Sequence, residues 1–315
     1  MRRIVLFWRT AVLLCFITLS LVPVQAQSVR YGKVEVGAGV GPLIFLGDLG
    51  GNLGRGTTFI KDVNLPTTNL SLGLQVNVYP TEWLGFRVAF NSGKLEGADS
   101  LINEKGGAEI SRKVRNQHFR SKLTEGYAAI EFYPTVFFER YDGLQGKLRP
   151  YGLIGVGMFR FNPQTQYYSP NGTTRWVDLR DLRTEGQGMA EYPTRKQYNL
   201  TQVEIPMGIG AKYYVSEDMY VGLEVLHRKT FTDYIDDLST TYINPDLFDK
   251  YLLPEEAVVA KQVYYRGFTA NSRPDDGEMR GQKKNNDAFF STLIRCGWRF
   301  GNEGRTPGNM RCPKF

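Results

Sequence analysis

The side chains in this sequence best suited to acid–base or metal chemistry are two histidines and a short run of aspartates. His227 lies six residues before Asp233, and Asp236 and Asp237 follow in the stretch T-D-Y-I-D-D. A histidine with a carboxylate can act as a general base in hydrolysis, and clustered carboxylates can bind Ca²⁺. His118 is distant in sequence, and neither histidine has metal-ligand spacing around it. We therefore expect no enzymatic activity, no metal and no cofactor, and we interpret the aspartates as part of a solvated loop.

The glycine-rich and basic stretches do not indicate nucleotide or nucleic-acid binding. Gly37-Ala-Gly39-Val-Gly41 lacks the spacing of a phosphate-binding loop and lies inside a predicted strand. The basic runs 112–115 and 283–284 have no interleaved aromatic residues, which a nucleic-acid surface would use. We expect no nucleic-acid partner.

The first 26 residues have the pattern of a secretory signal peptide. Arg2 and Arg3 form a charged start, residues 11–22 are mostly apolar, and Val-Gln-Ala at 24–26 ends on a small residue. The apolar stretch after Arg9 is shorter than a membrane-spanning helix requires. We predict cleavage after residue 26, which lowers the formal net charge from +7 to +4 because three arginines are removed.

Strict alternation of side chains is the strongest pattern in the remaining chain. From Leu70 to Val78 every even position is aliphatic and every odd position is small or polar. Period-two alternation places one strand face in an apolar medium and the other in a polar one. The same pattern predicts eight strands: 33–45, 68–79, 84–91, 122–133, 149–161, 202–215, 219–230 and 288–300.

The connections between these strands alternate between long and short. They are 22, 4, 30, 15, 40, 3 and 57 residues long. Outer-membrane barrels have short periplasmic turns and longer extracellular loops. No segment after the signal peptide has 18 continuous apolar residues, so a membrane-spanning chain would have to close as a barrel. We predict an all-β fold: an antiparallel transmembrane β-barrel of eight strands at 27–300, with long extracellular loops and a periplasmic tail at 301–315.

Aromatic residues recur at the short-turn ends of the predicted strands. Tyrosine and tryptophan favour the boundary between membrane and water. We predict a membrane-interface girdle on the periplasmic side, formed by Tyr79, Trp83, Tyr133, Tyr151, Tyr220, Trp298 and Phe300.

Charged residues repeatedly fall on the strand face opposite the aliphatic one. An eight-stranded barrel encloses little more than side chains, so we expect these charges to pair across a filled lumen rather than to form an ion pathway. They are Lys33, Glu35, Arg87, Glu125, Glu131, Lys212, Glu224, Arg228, Arg295 and Arg299.

Two cysteines remain after the predicted cleavage, in a compartment that permits disulfides. Cys296 belongs to the lipid-facing set of the last strand, and Cys312 lies in the tail. A bond between them would require the tail to fold back over the membrane-facing wall. We favour the alternative that Cys312 pairs with, or packs against, a periplasmic partner.

Several stretches along the chain resemble one family of outer-membrane proteins. They are Y-G-K-V-E-V-G at 31–37, F-L-G-D-L at 45–49, P-Y-G-L-I-G-V-G-M-F-R-F-N-P at 150–163, L-R-T-E-G-Q-G at 182–188, I-P-M-G-I-G at 205–210 and R-K-T-F-T-D-Y-I-D-D-L-S-T-T-Y at 228–242. The chain in these regions is similar to the PorG-like outer-membrane β-barrels of the Bacteroidetes type IX secretion system.

The resemblance implies a non-enzymatic barrel that anchors a periplasmic ring to the outer membrane. The implied partners are the ring lipoprotein and its partner subunit, of PorK and PorN type. We expect the tail residues Arg311, Cys312, Pro313, Lys314 and Phe315 to contact that ring. The alternative is a stand-alone barrel that stabilises the envelope or uses its extracellular loops for adhesion or ligand binding.

Overall fold

The structure is a computed structural model, and it describes residues 33–49, 65–102, 109–137, 148–216, 218–267 and 274–300. These residues belong to one structural unit, Lys33–Phe300. The predicted signal peptide, 1–26, and the predicted tail, 301–315, lie outside the described residues.

Ten strands and four α-helices are present in the described part of the chain. The strands are β1 (Lys33–Leu46), β2 (Asn69–Tyr79), β3 (Leu84–Ala98), β4 (His118–Phe132), β5 (Leu148–Arg160), β6 (Pro163–Tyr168), β7 (Thr174–Asp178), β8 (Thr201–Tyr214), β9 (Met219–Thr230) and β10 (Ala288–Phe300). The helices are α1 (Glu109–Arg115), α2 (Leu179–Leu182), α3 (Asp246–Tyr251) and α4 (Pro254–Tyr264). Short 3-10 turns occupy Leu65–Thr67, Asp99–Leu101 and Pro134–Phe137.

Eight of the strands close into an antiparallel barrel. The order around the wall is β1-β2-β3-β4-β5-β8-β9-β10, and β10 pairs with β1 to complete the ring. Val34 lies opposite Phe300, so the barrel brings the first and last described strands together. Closure leaves no open edge in the wall, which satisfies the backbone hydrogen bonds that a lipid environment could not.

The outer wall is apolar because the alternating residues point outward. On β2, Leu70, Leu72 and Leu74 are each about 60% exposed, while the intervening Ser71 and Gln75 are buried. The outward positions of the other barrel strands follow the same rule, with Ile209 and Val88 among the most exposed. A water-soluble barrel would bury these side chains, and a transmembrane barrel turns them toward lipid.

The predicted fold class and all eight predicted strands are confirmed. Two strands extend beyond the prediction, because β3 continues to Ala98 and β4 begins at His118. Each has 15 residues, more than the 9–11 that a membrane crossing requires, so both rise above the wall at the long-loop end. The β6–β7 hairpin was not predicted, and it pairs with the raised part of β4 through Arg120 and Gln164.

The long connections fold over the barrel mouth into a cap. We use this name for the described parts of 47–49, 99–117, 161–200 and 231–287. Helix α4 begins with Pro254 and buries one face, with Ala257, Ala260 and Tyr264 at helical spacing. These side chains join the aromatic and aliphatic residues at the barrel mouth in one continuous hydrophobic core.

None of the helices in the described part of the chain is long and apolar enough to cross a membrane.

Candidate functional site: the lumen and the cap

The lumen at the short-turn end is filled by side chains that converge on Glu35. Its carboxylate accepts hydrogen bonds from Lys212 Nζ at 2.9 Å, Tyr214 OH at 2.7 Å and Arg299 Nη2 at 2.9 Å. Glu35 itself is fully buried. Three donors from β8 and β10 thus bind one carboxylate from β1. These charge-assisted hydrogen bonds connect three strands across the lumen at the short-turn end.

The middle of the lumen contains two further buried carboxylates held by guanidinium groups. Glu224 accepts from Arg295 Nε at 2.9 Å and Nη2 at 2.6 Å, and from Tyr151 OH at 2.7 Å. Arg87 reaches both Glu224 and Glu131 and forms an ion pair with each. Since all of these side chains are buried, every pair is made in a low-dielectric interior where a missing partner is costly.

The upper lumen repeats this arrangement around Glu125. Arg228 donates to it from Nε at 3.1 Å and from Nη2 at 2.5 Å, a bidentate pair, and its Nη1 donates to Ser291 Oγ at 2.5 Å. Glu204 is also fully buried and lies near Glu125 and Arg228. Above this level the barrel mouth is closed by apolar and aromatic side chains of the cap core.

The expectation of a filled, charge-paired lumen is therefore confirmed for the described side chains. Four lumen acids form ion pairs with five lumen bases, and these residues are Glu35, Glu125, Glu131, Glu224, Arg87, Lys212, Arg228, Arg295 and Arg299. Glu204 is also buried in the lumen but forms no ion pair with a described residue. The side chain of Lys33 is not among those described. The interior of an eight-stranded barrel is just wide enough for side chains to fill, and these ion-paired side chains occupy it.

We predict that the protein does not conduct ions. In planar lipid bilayers the reconstituted full chain is expected to give no stepwise current above the protein-free level, because ion pairs and the cap core block the lumen. A general diffusion porin reconstituted in parallel provides the positive control. Reproducible ohmic steps from the purified protein would contradict the blocked lumen.

Within the cap, Arg115 connects three loops. Its Nε and Nη2 donate to the two carboxylate oxygens of Asp99 at 2.8 and 2.9 Å, and Asp99 is fully buried. Nη1 donates to the carbonyl oxygen of Arg280 at 2.5 Å, and Nη2 to that of Asp48 at 2.9 Å. One side chain at the end of α1 therefore binds the β3–β4 loop, the loop after β1 and the loop before β10.

A second connection in the cap is centred on Glu185. Its carboxylate accepts from the backbone N–H groups of Ser239 and Thr240 at 3.0 and 2.8 Å. It also accepts from Arg280 Nη1 at 3.0 Å. The same Arg280 nitrogen donates to the carbonyl oxygen of Asp237 at 2.6 Å. The loop between β7 and β8 is thereby fixed to the long loop that follows β9.

The expectation that Asp233, Asp236 and Asp237 form a solvated loop is wrong. They are only 6%, 1% and 0% exposed. The segment turns inward over the barrel mouth, where protein groups rather than water surround the carboxylates. Asp236 accepts from Leu238 N at 3.0 Å and from Leu49 N at 3.1 Å. Because Leu49 lies in a different loop, the sequence pattern alone could not show the burial.

Burial places several cap carboxyls in a common acidic environment. Asp287 lies at the start of β10 and accepts from Ile235 N at 2.8 Å. Burial raises the pKa of Asp233 to about 9, and the neighbouring Asp236 carboxyl adds to the rise. Burial likewise raises the pKa of Asp236, Asp287 and Asp48. Among the described residues, no group of three or more His, Cys, Asp or Glu side chains is arranged to hold a metal ion.

These raised pKa values predict that the cap loosens in alkaline solution. A folded-state pKa above the ordinary value of 3.8 means that the closed cap binds protons more tightly than the opened cap does. Its stability is therefore highest in acid and falls as the pH rises toward about 9. Hydrogen exchange in residues 231–240, corrected for intrinsic rates, should show less protection at pH 9 than at pH 6.

The matched variant for this prediction is Asp233→Asn, which removes one titrating carboxyl while keeping its shape. The variant should show a smaller loss of protection between the two pH values. Equal protection of the original protein at both values would contradict a proton-dependent cap.

The structure separates the predicted aromatic girdle into two groups. Trp83, Trp298 and Phe300 are 38%, 46% and 54% exposed on the outer wall, and their place at the membrane interface stays a prediction. The girdle assignment of four tyrosines is wrong, because their rings are buried inside the barrel. These tyrosines are Tyr79, Tyr133, Tyr151 and Tyr220.

Inward-facing glycines leave room for two of these rings in the lumen. A side-chain carbon on Gly210 would lie 2.6 Å from the ring of Tyr151, and one on Gly297 would lie 2.3 Å from the ring of Tyr220. The rings therefore lie directly against backbone that has no side chain. Glycines on the polar face of neighbouring strands are the sequence signal that could have indicated these positions.

The other predicted residues are not brought into one site. Arg311, Cys312, Pro313, Lys314 and Phe315 lie outside the described residues. Cys296 is an exposed free thiol on the outer wall. His227 belongs to the outward-facing set of β9, whereas Asp233 lies in the cap.

Sequence reasoning did not identify two cavities at the long-loop end. One has a volume of about 470 Å³ and is lined by parts of α1 and of the segment 274–282. The other has a volume of about 650 Å³ and lies beside the β6–β7 hairpin. Both volumes are in the range of small-molecule sites, so the cap offers concave surfaces large enough for a small ligand.

No known protein-family model matches the chain. No curated protein sequence matches it either.

Among solved structures, the chain is similar to several outer-membrane proteins. Ail, the attachment invasion locus protein of Yersinia pestis, has 9% identity and a TM-score of 0.37, over 85% of this chain and 99% of Ail. OprG of Pseudomonas aeruginosa has 13% identity and a TM-score of 0.36, over 86% of this chain and 96% of OprG. The protease OmpT of Escherichia coli has 10% identity and a TM-score of 0.32, over 85% of this chain and 97% of OmpT.

Proposed function

We propose that the protein is a non-enzymatic anchor in the outer membrane, a component of a type IX secretion machine. The observation that carries this proposal is the combination of an apolar outer wall with a lumen filled by buried ion pairs. Such a barrel is held firmly in lipid and leaves no path for a transported substrate. We therefore expect the surfaces at the two ends of the barrel to carry the function.

The positions of the described chain ends support a periplasmic role for the tail. Lys33 pairs with Tyr79, and Val34 with Phe300, so β1 begins and β10 ends beside a short turn. Short turns face the periplasm in barrels of this kind. In this orientation Phe300, to which the tail is attached, lies at the periplasmic end of the wall.

The partner in this proposal is a periplasmic ring of PorK-type lipoprotein and PorN-type subunits. This part rests on the sequence resemblance and on the tail, 311–315, whose cationic and aromatic side chains suit a protein contact. Cys312 would add a covalent link to the ring if it pairs with a cysteine of the partner.

A pull-down from solubilised envelopes tests the tether. The full chain is expected to recover the ring lipoprotein, and a chain cut after Phe300 is expected to lose it, with both forms present at equal level in the outer membrane. If neither form recovers the lipoprotein, or if both do so equally, a tail-mediated tether is contradicted. Cys312→Ala on non-reducing gels separates a covalent link from a non-covalent one.

A second candidate function is ligand binding or adhesion through the cap of a stand-alone barrel. The specific observation in its favour is that the cap has its own helices, buried ion pairs and cavities, which a simple anchor does not need. Cap variants that lose a cell-surface phenotype while the ring pull-down is unchanged would favour this role.

A further inference from the structure

The larger cap cavity is built from four segments that are distant in sequence. Its walls come from the raised ends of β3 and β4 with their connection, from the β6–β7 hairpin, from the residues at and after the end of α4, and from Thr67 in the turn before β2. Its volume of about 650 Å³ suits a small organic ligand. It lies at the long-loop end of the barrel, opposite the short turn that joins β2 and β3.

A guanidinium group without a carboxylate partner lines this cavity. Arg266 Nη2 donates to Thr165 Oγ1 at 3.2 Å and to the carbonyl oxygen of Gln166, and Nε is buried with no hydrogen-bond partner. No described carboxylate lies within ion-pair distance of Arg266. The carboxylate partner of Arg115 raises the pKa of Arg115, whereas burial lowers the pKa of Arg266. A half-buried cation without a counter-charge favours the binding of an anion beside it.

The surroundings strengthen this positive potential. The guanidinium of Arg120 lies 3.6 Å from the ring centroid of Trp176, a cavity-lining residue, and its Nε donates to the neutral Gln164 side chain at 3.3 Å. Glu96 also lines the cavity, but Lys94 Nζ pairs with it at 2.5 Å. Arg266 and Glu96 are the lining side chains that carry a full charge, and Glu96 is already paired with Lys94. The guanidinium of Arg266 is therefore the charge in the described wall that is available to an anion.

The remaining lining combines aromatic rings with neutral hydrogen-bonding groups. Trp176 stands edge-on to His118 at 6.0 Å, which fixes the indole, and Tyr168 is 49% exposed. Amide and hydroxyl groups complete the wall, and each keeps hydrogen-bonding capacity beyond the bonds it makes inside the protein. They are Ser100, Asn116, Gln166 and Gln262.

We propose that this cavity binds an acidic saccharide. The sugar carboxylate would accept hydrogen bonds from Arg266, the apolar C–H face of the sugar ring would pack on Trp176 and Tyr168, and the hydroxyls would bond to the amide groups. A simple inorganic anion would not use the aromatic walls, and a neutral sugar would leave Arg266 uncompensated. The inference deepens the second candidate function and is independent of the tether, because it requires neither the tail nor the ring.

Titration calorimetry on the purified full chain in detergent tests the site with three probes. They are a uronic-acid-containing disaccharide, a neutral disaccharide of the same linkage, and inorganic phosphate. Only the uronic-acid probe is expected to bind measurably. Arg266→Gln should weaken that binding by about tenfold or more, since it removes charge-assisted hydrogen bonds. Trp176→Leu should also weaken it, through loss of the stacking surface.

Arg175→Gln is the matched control, because it removes one positive charge from the same hairpin without touching the cavity wall. It should leave the affinity unchanged, and thermal melting should show that all three variants fold. The proposal is overturned if the uronic-acid probe does not bind, if the neutral disaccharide or phosphate binds equally well, or if Arg175→Gln and Arg266→Gln have the same effect. Because the ring pull-down does not involve this cavity, failure here would leave the tether proposal standing.

Discussion

Replacing Glu224 by glutamine is expected to lower the free energy of unfolding by about 3–5 kcal/mol. Glu224 is fully buried and pairs with both Arg87 and Arg295. The substitution keeps the shape but leaves two buried guanidinium groups without this counter-charge. Arg87 would still pair with Glu131, whereas Arg295 has no other described carboxylate partner. Equilibrium unfolding by urea in lipid vesicles measures the loss.

Two further variants show whether charge is the cause. Glu255→Gln, at the exposed start of α4, should change the unfolding free energy by less than about 0.5 kcal/mol. The double variant Glu224→Leu, Arg295→Met should recover much of the stability, because apolar side chains then replace the pair while Arg87 keeps Glu131 as its partner. A single variant as stable as the original protein would mean that water reaches these guanidinium groups, and would contradict the filled lumen.

The barrel could be predicted from the sequence because each of its strands carries its own pattern. From Leu70 to Val78 the alternation assigns every residue to lipid or lumen without knowledge of any other strand. The same rule identified the charges that the structure places in the lumen, including Glu35 and Arg228. Local information was sufficient because the membrane imposes one simple requirement on every strand.

The same alternation also predicts the inward orientation of the tyrosines that were assigned to the girdle. Tyr79 is at an odd position in a strand whose lipid-facing residues are even, so it belongs to the lumen set. Tyr220 is even in a strand whose outward residues are odd. Trp298 has the parity of its outward neighbours Ile294 and Cys296, and it is exposed. Position along the strand predicted an interface, but the parity of each residue decides which side of the wall it occupies.

The cap could not be predicted in this way because its contacts join distant loops. Glu185 and Arg280 are 95 residues apart, and Leu49 and Asp236 are 187 apart. No period in the sequence marks such pairs, and a buried carboxylate in a loop has the same local pattern as a solvated one. The cavity around Arg266 was missed for the same reason, since its walls come together only in the folded cap.

Arg115→Met is the cap variant with the largest expected effect. The methionine keeps much of the apolar side-chain volume but leaves Asp99 fully buried without its bidentate partner. Removing one member of a buried pair costs about 3–5 kcal/mol. The two carbonyl groups that Arg115 binds, those of Asp48 and Arg280, also lose their donor. We expect hydrogen exchange to accelerate in the cap while the barrel amides stay protected.

Two control variants distinguish the effect of the buried Arg115–Asp99 pair from the effect of a surface ion pair. Lys261→Met removes a cation from α4 that pairs with Asp249 at the surface, and it should change protection little, because exposed pairs contribute about 0–1 kcal/mol. Asp99→Asn added to Arg115→Met should restore part of the lost protection, since the unpaired buried charge is then removed. If Arg115→Met and Lys261→Met behave alike, the cap is not held by Arg115. If the barrel amides lose protection together with the cap, the two fold as one cooperative unit, and the cap cannot open while the membrane-spanning wall stays closed.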